Sequence, residues 1–148
     1  MNYKNNTMIK FKKLLENIHD LLPKAKVYLN EHPRVIFAYL FGGYSRNTRS
    51  LVSDIDIAVY ISENSDLLQV KIDLLGKLIE IPETDEIDLV ILNTASLPLV
   101  ARIIENKVIV VDKAPLFRHD YESLSLREYF DFSIKEMDIL NRRYMLGR

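Results

Sequence analysis

Three aspartates in the middle of the chain have the types and spacing needed to hold a divalent cation. Asp54 and Asp56 lie two residues apart, where the alternating apolar residues of 55–61 predict a strand, so both carboxylates point to one face. Asp88 lies within a second apolar run, 87–92, whose flanks predict a central strand. Magnesium prefers oxygen ligands and commonly combines one or two carboxylates with nucleotide phosphates. We therefore expect these acids to share a metal site, where Asp88 can also take a proton from an attacking hydroxyl.

Two glycines precede the first two acids and favour the binding of phosphate. Gly42 and Gly43 directly follow the apolar run 35–41, and glycine lets the backbone turn tightly and approach an anion closely. The N–H groups of the following turn can point at a phosphate, and the Arg46 guanidinium adds a charged donor. We expect a nucleotide phosphate to bind at this turn.

The elements that must position these residues form a small mixed α/β domain with one central sheet. The continuous apolar run 35–41 predicts a strand buried on both faces, and 107–111 predicts a further short strand. Helical spacing of apolar residues predicts helices over 9–22, 23–31, 67–81 and 95–106, and a long C-terminal helix over 116–146. We expect a single domain over 1–148 with a catalytic core at about 33–111.

Composition and charge exclude several classes of protein. The chain has 148 residues, of which 48% are hydrophobic and 28% charged, which is typical of a globular domain and not of a disordered or fibrous chain. The 20 basic and 21 acidic residues give a net charge of -1, which offers no electrostatic ground for binding duplex nucleic acid or an anionic membrane. The chain has no cysteine, no run of about 20 apolar residues and no apolar signal-peptide core in 1–13. We expect no disulfide, no direct nucleic-acid or membrane partner, and a cytoplasmic location.

The segment 40–60 resembles the signature of the DNA polymerase beta-like nucleotidyltransferase superfamily. That signature begins with an apolar residue, then Gly, then Gly or Ser. About ten residues later it has Asp-x-Asp, and a third acid follows on a later strand. In this chain the first part is Phe41, Gly42 and Gly43, the Asp-x-Asp is 54–56, and the third acid is Asp88. The chain resembles in particular the minimal nucleotidyltransferases, short bacterial and archaeal antitoxins that act beside HEPN ribonucleases. Their motif G-S-x-A-R-G followed by S-D-x-D corresponds to GGYSRN at 42–47 and SDID at 53–56. Gly43, Ser45 and Asn47 stand where that motif has Ser, Ala and Gly.

This resemblance implies an enzyme with Mg²⁺ as cofactor and ATP as substrate. It would transfer AMP to a tyrosine hydroxyl of a cognate HEPN toxin and so silence the toxin. The resemblance assigns the metal and the catalysis to Asp54, Asp56 and Asp88. It assigns the nucleotide to Gly42, Gly43, Ser45, Arg46 and Ser53.

Alternatives stay open from the sequence. A chain that departs from the motif at Gly43 and Asn47 can neutralise a toxin by binding alone, with the aromatic residues of the C-terminal helix as contact surface. A transferase acting on a small molecule such as an aminoglycoside is a further alternative, although it usually needs an additional substrate domain. A homo-oligomer and a hetero-oligomer are both compatible with the sequence.

The same residues also have plainer interpretations. Asp54 and Asp56 can simply lie on the solvent face of an edge strand, and Gly42 and Gly43 can belong to an ordinary loop. Asp88 can be a salt-bridge partner at a strand end. The order of the strands, and the place of Asp88 relative to Asp56, decide between these interpretations.

Overall fold

A four-stranded sheet is the centre of the fold in a computed structural model that describes residues 23–42, 55–80 and 87–146. The strands lie in the order β3-β2-β1-β4 and are β1 (Val35–Phe41), β2 (Ile55–Ile61), β3 (Ile87–Ile91) and β4 (Val108–Asp112). β1 pairs antiparallel with both β2 and β4, whereas β2 and β3 are parallel. β1 and β2 are the interior strands, which explains why their sequences are apolar on both faces.

Four helices accompany the strands in these residues: α1 over 23–31, α2 (Leu67–Glu80), α3 (Leu97–Asn106) and α4 (Pro115–Leu146). α2 lies between β2 and β3 in the chain, because parallel neighbours cannot be joined by a tight turn. Asp66 caps α2 through its Oδ1, which accepts a hydrogen bond from the Gln69 N–H at 3.3 Å. The Asn93 side chain closes the loop after β3, since its amide bonds both the N–H and the C=O of Ile61, at 2.9 and 2.7 Å.

The two faces of the sheet are covered by different helices. On one face, Ile57 and Val59 of β2 belong to the same buried cluster as Leu74 of α2. On the opposite face, Phe37 and Tyr60 stack with their ring centroids 5.0 Å apart, beside residues of α3 and α4. Residues of one strand alternate between faces, so Asp56, Ala58 and Tyr60 all lie on this second, aromatic face.

The predicted element order is confirmed for the described residues, with ends shifted by one or two residues. The predicted helix over 9–22 lies outside them. The prediction of a central strand around Asp88 is wrong, because β3 is an edge strand of the described sheet. Its sequence is apolar because helices cover both of its faces: Leu89 packs in the cluster of α2 and Val90 in that of α3. No helix in the described part of the chain combines the length and the apolarity needed to cross a bilayer.

Candidate active site

Asp56 and Asp88 are direct neighbours on adjacent strands. Asp56 of β2 is in register with Asp88 of β3, and parallel strands lie about 4.8 Å apart, so both side chains leave the same face of the sheet. Asp56 is half-buried and Asp88 is exposed. β2 is an interior strand, so the interpretation of Asp56 as the solvent face of an edge strand is wrong. The structure thus places side by side two of the three acids that the sequence predicts to converge.

Gly42 lies against the carboxylate of Asp56. Phe41, the last residue of β1, is in register with Asp56, which brings the following residue to this end of the sheet. Gly42 has a φ of 81°, a left-handed conformation that residues with a Cβ rarely adopt. A Cβ added at Gly42 would collide with Oδ2 of Asp56. Glycine is therefore needed here for two reasons, the backbone conformation and the space that the carboxylate fills.

The other predicted site residues lie outside the described residues. These are Gly43, Ser45, Arg46, Ser53 and Asp54, all within 43–54. Among the described residues, no group of three His, Cys, Asp or Glu side chains is close enough to hold a metal ion. The described part of the site therefore contributes two carboxylates and the glycine beside one of them, and the roles of the remaining residues stay predictions.

The pair has the donor chemistry that a hard divalent cation requires. Both side chains offer only oxygen, which magnesium prefers to nitrogen or sulfur. Two adjacent carboxylates repel each other, and a cation between them relieves that repulsion. The residues present therefore fit a magnesium ion, with Asp54 as the further donor that the sequence predicts.

A buried ionic network connects α4 to the sheet, and it was not predicted from the sequence. Oε1 of Glu122 accepts hydrogen bonds from the Tyr39 hydroxyl at 2.6 Å, from Lys107 Nζ at 2.8 Å and from Arg118 Nη1 at 3.0 Å. Arg118 also pairs with Asp112, with Nη2 and Oδ2 separated by 3.1 Å. The only sequence signal for it is the four-residue spacing of Arg118 and Glu122, which places them on one side of a helix.

Burial and hydrogen bonding shift the pKa values of this network in opposite directions. Burial alone would raise the pKa of Glu122, but its hydrogen bonds with Lys107, Tyr39 and Arg118 outweigh it, so the pKa is lowered. The pKa of the Tyr39 hydroxyl is raised, first by burial and then by its hydrogen bond to the Glu122 carboxylate. Glu122 is therefore an anion and Tyr39 a neutral donor at neutral pH. Both hold α4 in place on the face of the sheet that carries Asp56 and Asp88.

Comparisons with known proteins agree on one family of enzymes. Residues 23–115 match the family model described as polymerase beta, nucleotidyltransferase. The chain is 36% identical over 101 residues to "Putative protein adenylyltransferase MJ0128" of Methanocaldococcus jannaschii, which covers 67% of this chain and 99% of that protein. It is 34% identical over 99 residues to "Putative protein adenylyltransferase MJ0126" of the same organism, again over 67% of this chain and 99% of that protein.

Solved structures of toxin-antitoxin complexes contain chains with the same fold. One is a toxin-antitoxin crystal structure with AMP-PNP, whose matching chain has a TM-score of 0.63 and 23% identity, covering 89% of this chain and 96% of that one. Another is a tri-AMPylated Shewanella oneidensis HEPN toxin in complex with an MNT antitoxin, with a TM-score of 0.58 and 20% identity over 92% of this chain and 97% of that one. At these identities the likeness concerns the fold.

Proposed function

The chain belongs to the polymerase beta nucleotidyltransferase family and is a nucleotidyltransferase, as its motif predicts, and we propose that it transfers AMP from ATP to a hydroxyl of a partner protein. The observation that carries this proposal is the in-register pair Asp56 and Asp88, with Gly42 seated against the Asp56 carboxylate. The names of the relatives support AMP as the transferred group and a protein as the acceptor. We take the chain as one nucleotidyltransferase domain that acts in the cytoplasm, where ATP is abundant.

In this proposal the acids and the glycine turn have separate roles. Asp54, Asp56 and Asp88 hold magnesium, which when bound neutralises charge on the triphosphate. Gly42, Gly43, Ser45, Arg46 and Ser53 bind the phosphates, through backbone N–H groups, hydroxyls and a guanidinium. Asp56 lies between β1 and β3 and so connects the phosphate turn to Asp88.

The chemistry is a displacement at the α-phosphorus of ATP. A bond forms between the acceptor oxygen and the α-phosphorus, and the bond from that phosphorus to the oxygen bridging to the β-phosphate breaks. Pyrophosphate leaves, and the acceptor proton passes to the Asp88 carboxylate, the more exposed member of the pair. Asp88 is exposed on the edge strand of the described sheet, so an acceptor can approach it without crossing the sheet.

We further propose that the acceptor is a tyrosine hydroxyl of a HEPN-type toxin and that the modification silences the toxin. Two structures of this fold support the assignment by their composition: one contains AMP-PNP, and one contains a HEPN toxin that carries AMP groups. The chain would then act as the antitoxin of the pair and form a hetero-oligomer with its target.

Label transfer tests the reaction. The purified chain is incubated with Mg²⁺, a co-encoded HEPN-type protein, and ATP labelled at either the α- or the γ-phosphate. Transfer of the α-label alone indicates AMP transfer, whereas transfer of the γ-label would indicate a kinase and contradict the proposal. Asp56→Asn should abolish labelling, and Asp131→Asn, at an exposed position on α4, should leave it unchanged.

One observation favours a second function, neutralisation by binding alone. Phe130, Met137 and Tyr144 lie at seven-residue spacing along one side of α4 and are 67, 62 and 81% exposed. Exposed apolar rows of this kind mark protein interaction sites. If Asp56→Asn still protects cells from the toxin while Phe130→Glu does not, binding is the function; the reverse result supports transfer.

A further inference from the structure

A groove of about 500 Å³ runs along the outer edge of β3 and begins at Asp88. Its floor is the strand segment 88–91. One wall is the start of α2, with Leu68 and Lys71, and the other is the loop into α3, with Thr94 and Ala95. Four strand residues span about 13 Å, which is the length of four residues of an extended chain.

The backbone of β3 presents hydrogen-bonding groups to this groove. The Leu92 N–H donates to the Val59 carbonyl of β2 at 2.9 Å. Alternate residues of a strand direct their backbone groups to the same side, so Val90 and Asp88 also turn towards β2. Leu89 therefore turns its N–H and C=O groups outwards, towards the groove. Ile91 turns its N–H the same way, while its C=O accepts a hydrogen bond from the Thr94 N–H at 3.3 Å. An edge with this geometry is a template for an added strand.

The position of Asp88 determines which residue of an added strand would lie at the proposed reaction centre. Residues in register on neighbouring strands project from the same face, as Asp56 and Asp88 do. A residue of an added strand that lies opposite Asp88 would place its side chain beside the Asp88 carboxylate, with Asp56 one strand further on the same face. Positions of the added strand nearer to Ile91 would face the start of α2, where Leu68 offers an apolar surface and Lys71 a cation.

We propose that the acceptor protein binds as an extended segment added to the β3 edge, with its hydroxyl-bearing residue opposite Asp88. This inference rests on the proposed AMP transfer and deepens it by naming how the acceptor is recognised. The positions of the segment that face the start of α2 carry an apolar residue for Leu68 and an acidic residue for Lys71. Backbone hydrogen bonds to Leu89 and Ile91 hold the segment in register, so the hydroxyl is selected by its position along the strand.

Two measurements on the full chain test the proposal. The first is amide hydrogen exchange at Leu89 and Ile91, with the chain alone and with the co-encoded HEPN-type protein plus a non-hydrolysable ATP analogue. The second is the KM for that protein in AMP transfer, compared between Leu68→Glu and Ile72→Glu. Both residues are exposed apolar side chains of α2, 68 and 56% exposed, but only Leu68 lines the groove.

We expect the partner to slow exchange at both amides and Leu68→Glu to raise the KM at least about tenfold, with ATP binding unchanged and Ile72→Glu like the parent. Equal KM values with unprotected amides would overturn the proposal. Protection in the dilute chain alone would assign the edge to this chain's own residues, and protection that grows with chain concentration would assign it to a second copy; both overturn it. Partner-dependent protection without any AMP transfer would support docking at the edge and refute the proposed reaction instead.

Discussion

Replacing Gly42 with alanine tests whether this glycine seats the Asp56 carboxylate. The residue has a φ of 81°, and an added Cβ would meet the carboxylate of Asp56 on the neighbouring strand. Gly42→Ala therefore changes two quantities, the conformational energy of the turn and the position of the carboxylate. These have different consequences, because the first affects stability and the second affects catalysis.

The cost of the backbone conformation to stability is small. A left-handed conformation costs a non-glycine residue about 1–2 kcal/mol, and the loss of glycine's freedom in the unfolded chain returns about 0.4–1 kcal/mol. The net loss is about 1 kcal/mol, which lowers the melting temperature of a domain of this size by about 2–4 °C. The catalytic cost is larger, because a reacting group displaced by about 1 Å can lose about a hundredfold in rate.

Gly76→Ala is the matched control. Gly76 lies within α2, and a Cβ added there meets no atom within 4 Å. Alanine is the better helix former by about 1 kcal/mol, so this variant should be slightly more stable than the parent and equally active. The measurements are the rate of AMP transfer and the thermal unfolding of each variant.

Two results would contradict this role of Gly42. A folded Gly42→Ala variant that transfers AMP at the parent rate would show that the carboxylate does not depend on this glycine. A large fall in melting temperature that parallels the loss of activity would show that the glycine acts through stability alone.

Three further predictions concern the ionic network around Glu122 and the role of Asp88. Glu122→Gln should lower the free energy of unfolding by about 3 kcal/mol in urea, because it leaves Lys107 without its anion and Arg118 with Asp112 alone, while the exposed Glu128→Gln should change it little. The pKa of Glu122 is lower in the folded than in the unfolded chain, so its contribution is present above the unfolded value and lost as pH falls through the folded one. Urea unfolding across an acidic pH series should therefore show the parent and Glu122→Gln converging at low pH, and a constant difference would contradict this. Asp88→Asn should reduce AMP transfer by about 10² to 10⁴ while ATP binding, followed by calorimetry, persists; undiminished transfer would remove Asp88 from the chemistry.

The strands and the acids could be predicted because their signals are local. Val35–Phe41 is an unbroken apolar run, and an acid two residues from another on a strand must share its face. The position of β3 could not be predicted in the same way. An apolar run indicates that both faces of a strand are covered. It does not indicate whether a further strand pairs with that strand. The sequence thus predicts that strands enclose Asp88, whereas it lies on the edge strand of the described sheet.

Contacts between residues that are far apart in the chain could not be predicted from the sequence either. Tyr39 and Glu122 are 83 residues apart, and neither differs in its own neighbourhood from an ordinary strand tyrosine or helix glutamate. The contact between Gly42 and Asp56 could be predicted in part. The motif contains both residues, but only the antiparallel pairing of β1 with β2 brings them together.

The placement of Asp88 beside Asp56 brings two carboxylates to one end of the sheet, which argues for a role in function. Two like charges at in-register positions of neighbouring strands repel each other, and this pairwise cost is larger where the surroundings are less polar. Apolar or neutral residues at these in-register positions would avoid that cost, as the pair that follows it on the same face, Ala58 and Val90, does. The repulsion becomes an attraction for any cation that binds both carboxylates. The same two carboxylates are therefore what suits this end of the sheet to the metal-bound triphosphate that we propose.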